Sequence, residues 1–376
     1  MGDLTSGPSR LAVAVESGRW RDKLDTPSLV VDLTSLRDNV ARMAAQVGSR
    51  GVALRPHFKT HKCTQIAEMQ ARHGANGQTC ATLGEAEVLA EGGFVDVFVA
   101  YPVWPLGPKR RRLLELHDRI ELTVGVDSVE QARTLGAISG ADRPLRVLIE
   151  IDTGGRRAGV RPADAGEVAV AAARCGLLVR GVFTHGGHSY GVGEAAHRAA
   201  RDEVDGLAVA VESLQAHRLP VPVVSAGSTP TATLSAADPV TEERPGTYVF
   251  GDRQQVAIGS CTSFEVALLV ATTVVSRAVP DHVVIDAGTK ALGRESQPWL
   301  SGFGQLPCWP SVELERLYDH HGVGRLPTGE PGPDAGALVA VMPNHVCPVV
   351  NLARELVVVD GDNEVARWPV AARAAV

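Results

Sequence analysis

From residue 52 onward, short runs of β-branched and other apolar residues alternate with alanine-rich stretches whose apolar positions recur at helical spacing. The runs fall at 52–59, 78–83, 95–101, 120–126, 145–152, 178–185, 221–227 and 247–252. Between them lie helical patterns at 64–73, 84–91, 129–138, 163–174 and 195–214. Two of these helices open with capping-box chemistry, Thr82 with Glu85 and Ser128 with Gln131. Eight strand–helix units over about 200 residues predict an α/β chain built on a (β/α)8 TIM-type barrel. A doubly wound sheet would open with a glycine-rich turn after its first strand, and no GxGxxG occurs. After about residue 260 the helical period disappears. Apolar runs at 266–276, 283–286, 337–341 and 356–359 are separated by turn signals such as Asp360-Gly361-Asp362-Asn363, which predicts a C-terminal all-β domain. The expected division is a barrel over 27–260 and a β-strand domain over 261–376, joined by 1–26. The run at 28–32 precedes the barrel count and fits either part.

Composition narrows the classes. The chain has 376 residues, 44% hydrophobic and 21% charged, an ordinary globular balance that excludes disorder throughout. A net charge of −6 argues against a nucleic-acid-binding surface. No apolar run reaches the ~18–20 residues that span a bilayer. Met1-Gly2-Asp3-Leu4-Thr5 lacks the basic start and apolar core of a signal peptide. Six cysteines without a CxxC spacing argue against a disulfide framework and for a reducing cytoplasm; Cys63, Cys80 and Cys175 read as small core residues. Lysine occurs only at 23, 59, 62, 109 and 290, so a lysine ending an apolar strand is not generic surface charge.

A barrel of this kind keeps its active site at the C-terminal strand ends. Lys59 ends the first run, two residues from both His57 and His61 and three from Lys62. Neighbouring cations and burial lower an amine's pKa and make it a nucleophile, so Lys59 reads as a Schiff-base lysine or as a lysine snorkelling at a strand end. Gly227-Ser228-Thr229 and Gly246-Thr247-Tyr248 flank late strands, where backbone amides and hydroxyls cradle phosphates in many barrels; ordinary turn chemistry is the other reading. Arg157 and Arg244 lie in strand-end loops, able to grip a ring or carboxylate or to form surface ion pairs. His185, His188 and Tyr190 follow another strand as acid–base groups, ring contacts or packing. His345-Val346-Cys347 on a strand would place both side chains on one face, and imidazole with thiolate suits Zn²⁺ with positions left open; a buried cysteine beside an incidental histidine is the alternative.

Taken in order, these stretches resemble one family over nearly the whole chain. The markers are Asp25-Thr26-Pro27-Ser28-Leu29-Val30-Val31-Asp32, Arg55-Pro56-His57-Phe58-Lys59-Thr60-His61-Lys62, Thr82-Leu83-Gly84-Glu85-Ala86-Glu87 and Asp152-Thr153-Gly154 with Arg157. They continue with Thr184 to Tyr190, Gly227-Ser228-Thr229-Pro230-Thr231, Arg244 to Phe250 and Pro343 to Pro348. The sequence resembles the D-serine dehydratase and D-threonine aldolase group of fold-type III pyridoxal 5'-phosphate enzymes, which share the alanine racemase fold. The resemblance implies a homodimer with the cofactor held covalently on Lys59 and its phosphate near the Gly227 and Gly246 stretches. By likeness to the racemases it also implies Arg244 at the pyridine nitrogen and Arg157 near the ring hydroxyl.

Within that group His-x-Cys, rather than His-x-Asp, marks the dehydratases, and Ala81-Thr82 departs from the aldolase Gln-Lys pair. The expectation is therefore a zinc-dependent dehydratase acting on a small D-3-hydroxy amino acid to give a keto acid and ammonia. Retro-aldol cleavage to glycine and an aldehyde is the alternative on the same site. A non-catalytic cofactor carrier is the alternative from another class, although it leaves His345 and Cys347 without a purpose. Racemisation requires a second base, and none is evident.

Overall fold

A computed structural model describes residues 8–376. The Met1 to Thr5 segment, read for a signal peptide, lies outside the described residues. The chain forms two compact units. One comprises Arg42–Lys59, Thr64–Gly246 and Ala375–Val376; the other comprises the residues up to Ala41, Thr60–Cys63 and Thr247–Ala374.

The strands in chain order are β1 (Ser28–Asp32), β2 (Ala53–Leu54), β3 (Gln78–Cys80), β4 (Asp96–Pro102), β5 (Glu121–Val126), β6 (Arg146–Ile151), β7 (Leu178–Thr184), β8 (Val223–Ala226) and β9 (Glu242–Glu243). They continue as β10 (Leu268–Ser276), β11 (His282–Ile285), β12 (Gly304–Gln305), β13 (Glu313–Leu317), β14 (Gly322–Arg325), β15 (Leu338–Pro343), β16 (Glu355–Asp360) and β17 (Asn363–Pro369).

The first unit contains the expected barrel. Eight parallel strands run in the order β2-β9-β8-β7-β6-β5-β4-β3. A bridge between His57 and Thr79, with Asn76 N–H donating to Leu54 O and Thr79 N–H to Pro56 O, joins the two edges. Each of β4 to β7 carries a run of three or more consecutive buried residues, because a parallel strand is covered on both faces. Thr82 and Ser128 cap the helices Leu83–Glu91 and Val129–Gly136, accepting from Glu85 N and Gln131 N as the spacing predicts.

Two barrel strands differ from the sequence reading. The first covers only Ala53–Leu54, after which Phe58–Thr60 forms a 3₁₀ turn that ends the extended run at the candidate lysine. The eighth is Glu242–Glu243, not 247–252. Thr247–Val249 instead closes a 3₁₀ turn in which Phe250 and Gly251 donate back to Thr247 O. Two adjacent glutamates give no apolar signal, yet both are buried, and the β-prone Thr-Tyr-Val-Phe run drew the strand assignment to itself.

The second unit is the expected all-β part. Its nine strands run in the order β11-β14-β13-β12-β15-β10-β1-β16-β17, and a further β11–β10 pairing closes β10 to β15 into a ring. The run at 28–32 is β1, paired antiparallel with β10 and parallel with β16. Asp360 and Asn363 pair across the predicted hairpin turn. The helix Arg10–Ser17, capped by Ser9, buries Leu11, Ala12 and Val15 against β10 and β15 residues such as Leu269 and Ala340. Among the described residues, no helix is long and apolar enough to cross a membrane, and all six cysteines are free. Cys63 and Cys80 are core residues, whereas Cys175 is half-buried at a helix end.

Candidate active site

In the barrel unit the candidate residues gather at the C-terminal strand ends. Lys59 stands in the 3₁₀ turn after β2. His185 follows β7, with its ring centroid 6.5 Å from that of Tyr190. Burial, reinforced by the cations Lys59, Arg157 and Arg244 around it, pushes the His185 pKa well below its ordinary value, so the ring is a neutral imidazole. Arg244 is buried beyond β9. Its guanidinium donates to Thr184 O and, at 2.5 Å, to Ser225 Oγ, and it lies 5.8 Å and 5.4 Å from the Phe98 and Phe183 ring centroids.

The Arg244 anchor extends inward. Ser225 Oγ donates to Glu242 Oε1 at 2.6 Å, and the other Glu242 oxygen accepts from Arg55 Nε at 2.7 Å. Arg55 also forks onto Asp96 through two 2.9 Å bonds. Arg157 is mostly exposed and reaches to 3.9 Å from Glu150, whose carboxyl burial pushes up to about 7 despite that neighbour. Asp152 accepts from Gly154 N and Arg156 N, which sets the loop carrying Arg157.

After β8, Ser228 is buried, donating through its N–H to Thr231 Oγ1 at 2.9 Å, with its hydroxyl 3.0 Å from both Ser189 Oγ and Thr231 Oγ1. Gly227 has φ +93, and a Cβ there would lie 1.7 Å from Glu243 Oε2. Glycine is therefore demanded by the carboxyl group beneath it, and its amide is committed to Glu203. Thr229 follows in the same turn. Gly246 ends this unit, whereas Thr247 and Tyr248 open the other, both buried. The lysine, the arginines and the hydroxyls at these strand ends suit an anionic aromatic aldehyde such as pyridoxal phosphate.

His345 and Cys347 lie in the β unit, but not on a strand. β15 ends at Pro343; His345 caps the helix Val346–Leu352, and Cys347 lies in its first turn. Pro348 is tolerated there because the first helical amides have no partner within the helix. The strand-face argument for the pair is thus replaced by a helix-cap geometry. Asp252, fully buried, organises it: Oδ2 accepts from His345 Nδ1 at 2.9 Å and from Val346 N at 3.0 Å, while Oδ1 accepts from Gln255 N at 2.8 Å. Burial opposes a charged His345, but Cys347 and Asp252 outweigh it and hold the pKa well above the ordinary value. Cys347 Sγ contacts Thr60 Oγ1 at 3.3 Å. An imidazole anchored through Nδ1 leaves Nε2 for a metal, and a thiol two residues on suits Zn²⁺. Among the described residues, no group of three or more His, Cys, Asp or Glu side chains forms a metal cage. A metal held by His345 and Cys347 would keep open positions, as a catalytic rather than a structural site requires.

Three contributors escaped the sequence reading. Asp252 carried a signal, since Asp252 followed by Gln255 is capping-box spacing. Glu203 interrupts the apolar stripe of its helix. Thr60 had no signal beyond its place after Lys59.

Comparisons with known proteins identify the family. The alanine racemase N-terminal domain family matches residues 31–254, and the serine dehydratase domain family matches 267–359. The chain belongs to the D-serine dehydratase and D-threonine aldolase family of fold-type III pyridoxal-phosphate enzymes. D-threo-3-hydroxyaspartate dehydratase of Delftia sp. is 37% identical over 349 residues, covering 86% of this chain and 91% of its own length. D-threonine aldolase of an Arthrobacter species is 34% identical, covering 93% of each chain. A solved D-threo-3-hydroxyaspartate dehydratase, a cysteine-to-alanine mutant in the metal-free form, superposes with a TM-score of 0.86 at 34% identity over 92% of this chain and 97% of that one.

Proposed function

We propose that this chain is a pyridoxal-phosphate- and zinc-dependent dehydratase that removes water from a small D-3-hydroxy amino acid, giving a keto acid and ammonia. One observation carries the reading. Within the β unit Cys347 Sγ meets Thr60 Oγ1 at 3.3 Å, and Thr60 is the residue that follows Lys59 in the chain.

When bound, pyridoxal phosphate supplies an electron sink for the substrate α-carbon, and zinc supplies a Lewis acid for its β-hydroxyl. Lys59 would anchor the cofactor and take the α-proton on Nζ. Arg157 and Arg244, with neutral His185 and Tyr190, would hold its ring. Ser228 and Thr229, with Gly227, Gly246, Thr247 and Tyr248, would hold its phosphate. Arg244, held by Thr184 O and Ser225, would meet a pyridine nitrogen as a cation and disfavour its protonation, so more of the work would fall to a metal on His345 and Cys347. The Cα–H and Cβ–O bonds break, the proton and hydroxide leave as water, and hydrolysis of the enamine releases ammonia. The resemblance further supports a homodimer, and the free cysteines suit a reducing cytoplasm.

A product assay with D-serine, D-threonine and D-threo-3-hydroxyaspartate tests the reading. Ammonia and a keto acid are expected. Glycine with an aldehyde or glyoxylate would replace it with aldol cleavage, and cofactor uptake without turnover would favour a carrier.

A further inference from the structure

The helix Ala195–Ala216 turns a stripe of Ala199, Leu207, Ala210 and Leu214 to the interior and breaks it with Glu203, which has no exposed surface. A carboxyl group in such a place costs stability unless its oxygens are occupied. Glu203 Oε1 accepts from two backbone amides at once, Gly186 N at 2.7 Å and Gly227 N at 3.1 Å. These amides belong to different strand-end loops. Gly186 follows His185 after β7, and Gly227 precedes Ser228 after β8. Both loops rest on buried carboxyl groups so closely that side chains are excluded. A Cβ on Gly186 would lie 2.9 Å from the Glu203 carboxyl carbon, and one on Gly227 would strike Glu243.

We infer that Glu203 is a positioning residue for the cofactor, setting the separation between the loop that carries His185 and the loop that carries Ser228 by holding one amide of each on a single oxygen. The inference rests on the cofactor reading proposed above. An apolar side chain would fill the helix stripe more cheaply, so a glutamate here has to be explained by the two amides it collects. Each amide adjoins a proposed cofactor contact along the chain: Gly186 follows the ring contact His185, and Gly227 precedes the phosphate contact Ser228. A rigid spacing matters because a cofactor gripped at both ring and phosphate gains affinity from loops that need no reordering.

The test is titration of the cofactor-free chain with pyridoxal phosphate, read by absorbance, in the native protein and in E203A, E203Q and G186A, with folding checked by circular dichroism. E203A loses the shared acceptor and is expected to bind at least about tenfold more weakly. The E203Q amide oxygen still accepts both N–H groups and is expected to restore affinity to within about threefold. G186A pushes on the Glu203 carboxyl group and is expected to weaken binding while leaving Glu203 in place. Folded E203A with native affinity overturns the inference, as does E203Q as weak as E203A. If E203A does not fold, G186A with native affinity overturns it. No cofactor uptake by the native chain overturns the cofactor reading itself, and the inference falls with it.

Discussion

At the barrel's strand ends, candidate groups are held by buried polar links drawn from several elements: Arg244 to Ser225 and Thr184, Ser225 to Glu242, Glu242 to Arg55, and Glu203 to two loops. In the β unit, His345 and the amide of Val346 share the carboxylate of Asp252, and Cys347 Sγ meets Thr60 Oγ1. Each barrel link holds its own group, whereas replacing Asp252 would release His345 and the Val346 amide together. The difference suits the partners expected in each place. A cofactor with a ring, a phosphate and a covalent anchor is gripped from many sides, while a catalytic metal needs few protein ligands in fixed orientation and room for a substrate oxygen.

The largest effect should come from the one group in the barrel that its network cannot replace. K59A is expected to remove the visible absorbance that borohydride would otherwise abolish, and to lower turnover by about 1,000-fold or more. Turnover and absorbance near the native level would end the covalent role of Lys59. On the other side of the comparison, H345A, C347A or thorough chelation is expected to lower ammonia release by about 100-fold or more while the absorbance stays, because the cofactor is anchored elsewhere. Full D-serine deamination by metal-stripped protein would return both residues to packing roles.

A smaller effect separates the organiser from the ligands. D252N keeps one oxygen for the helix caps but cannot accept from His345 Nδ1, Val346 N and Gln255 N as the carboxylate does. Metal affinity is expected to fall about 10- to 100-fold, measured by competition with a chromogenic chelator, with cofactor uptake unchanged. An unaltered metal affinity would mean that the helix N-terminus alone orients His345.

The legible and illegible parts of the molecule divide along the same physical line. The barrel showed itself through β4 to β7, whose two covered faces favour runs of apolar residues. It hid where chemistry displaced hydrophobicity, in β9, whose two residues are the buried glutamates 242 and 243. Lys59 was readable because lysine is rare in this chain and ends a strand run. The His345–Cys347 pair was readable by spacing, but the strand it was assigned to is a helix cap, since the period of two applies only where the backbone stays extended. Glu203 and Asp252 act on residues tens of positions away, and such partnerships leave no local period to read.

The smallest effect tests another buried carboxyl group of the barrel, Glu150. Burial raises its pKa from 4.5 to about 7, against the pull of Arg157, 3.9 Å away. A carboxyl group that binds its proton more tightly when folded stabilises the fold below the unfolded pKa and loses that contribution as pH rises through the folded one. The window is therefore about pH 4.5 to 7, across which the native chain sheds stability that a permanently neutral residue keeps. Between pH 5.5 and 6.5 the cofactor-free native chain is expected to lose about 1 kcal/mol relative to E150Q, read as a widening gap in denaturant midpoints. Parallel profiles for the two chains would mean that Glu150 stays ionised in the fold, held by Arg157. In that case the barrel end would carry one more fixed negative charge facing Arg244.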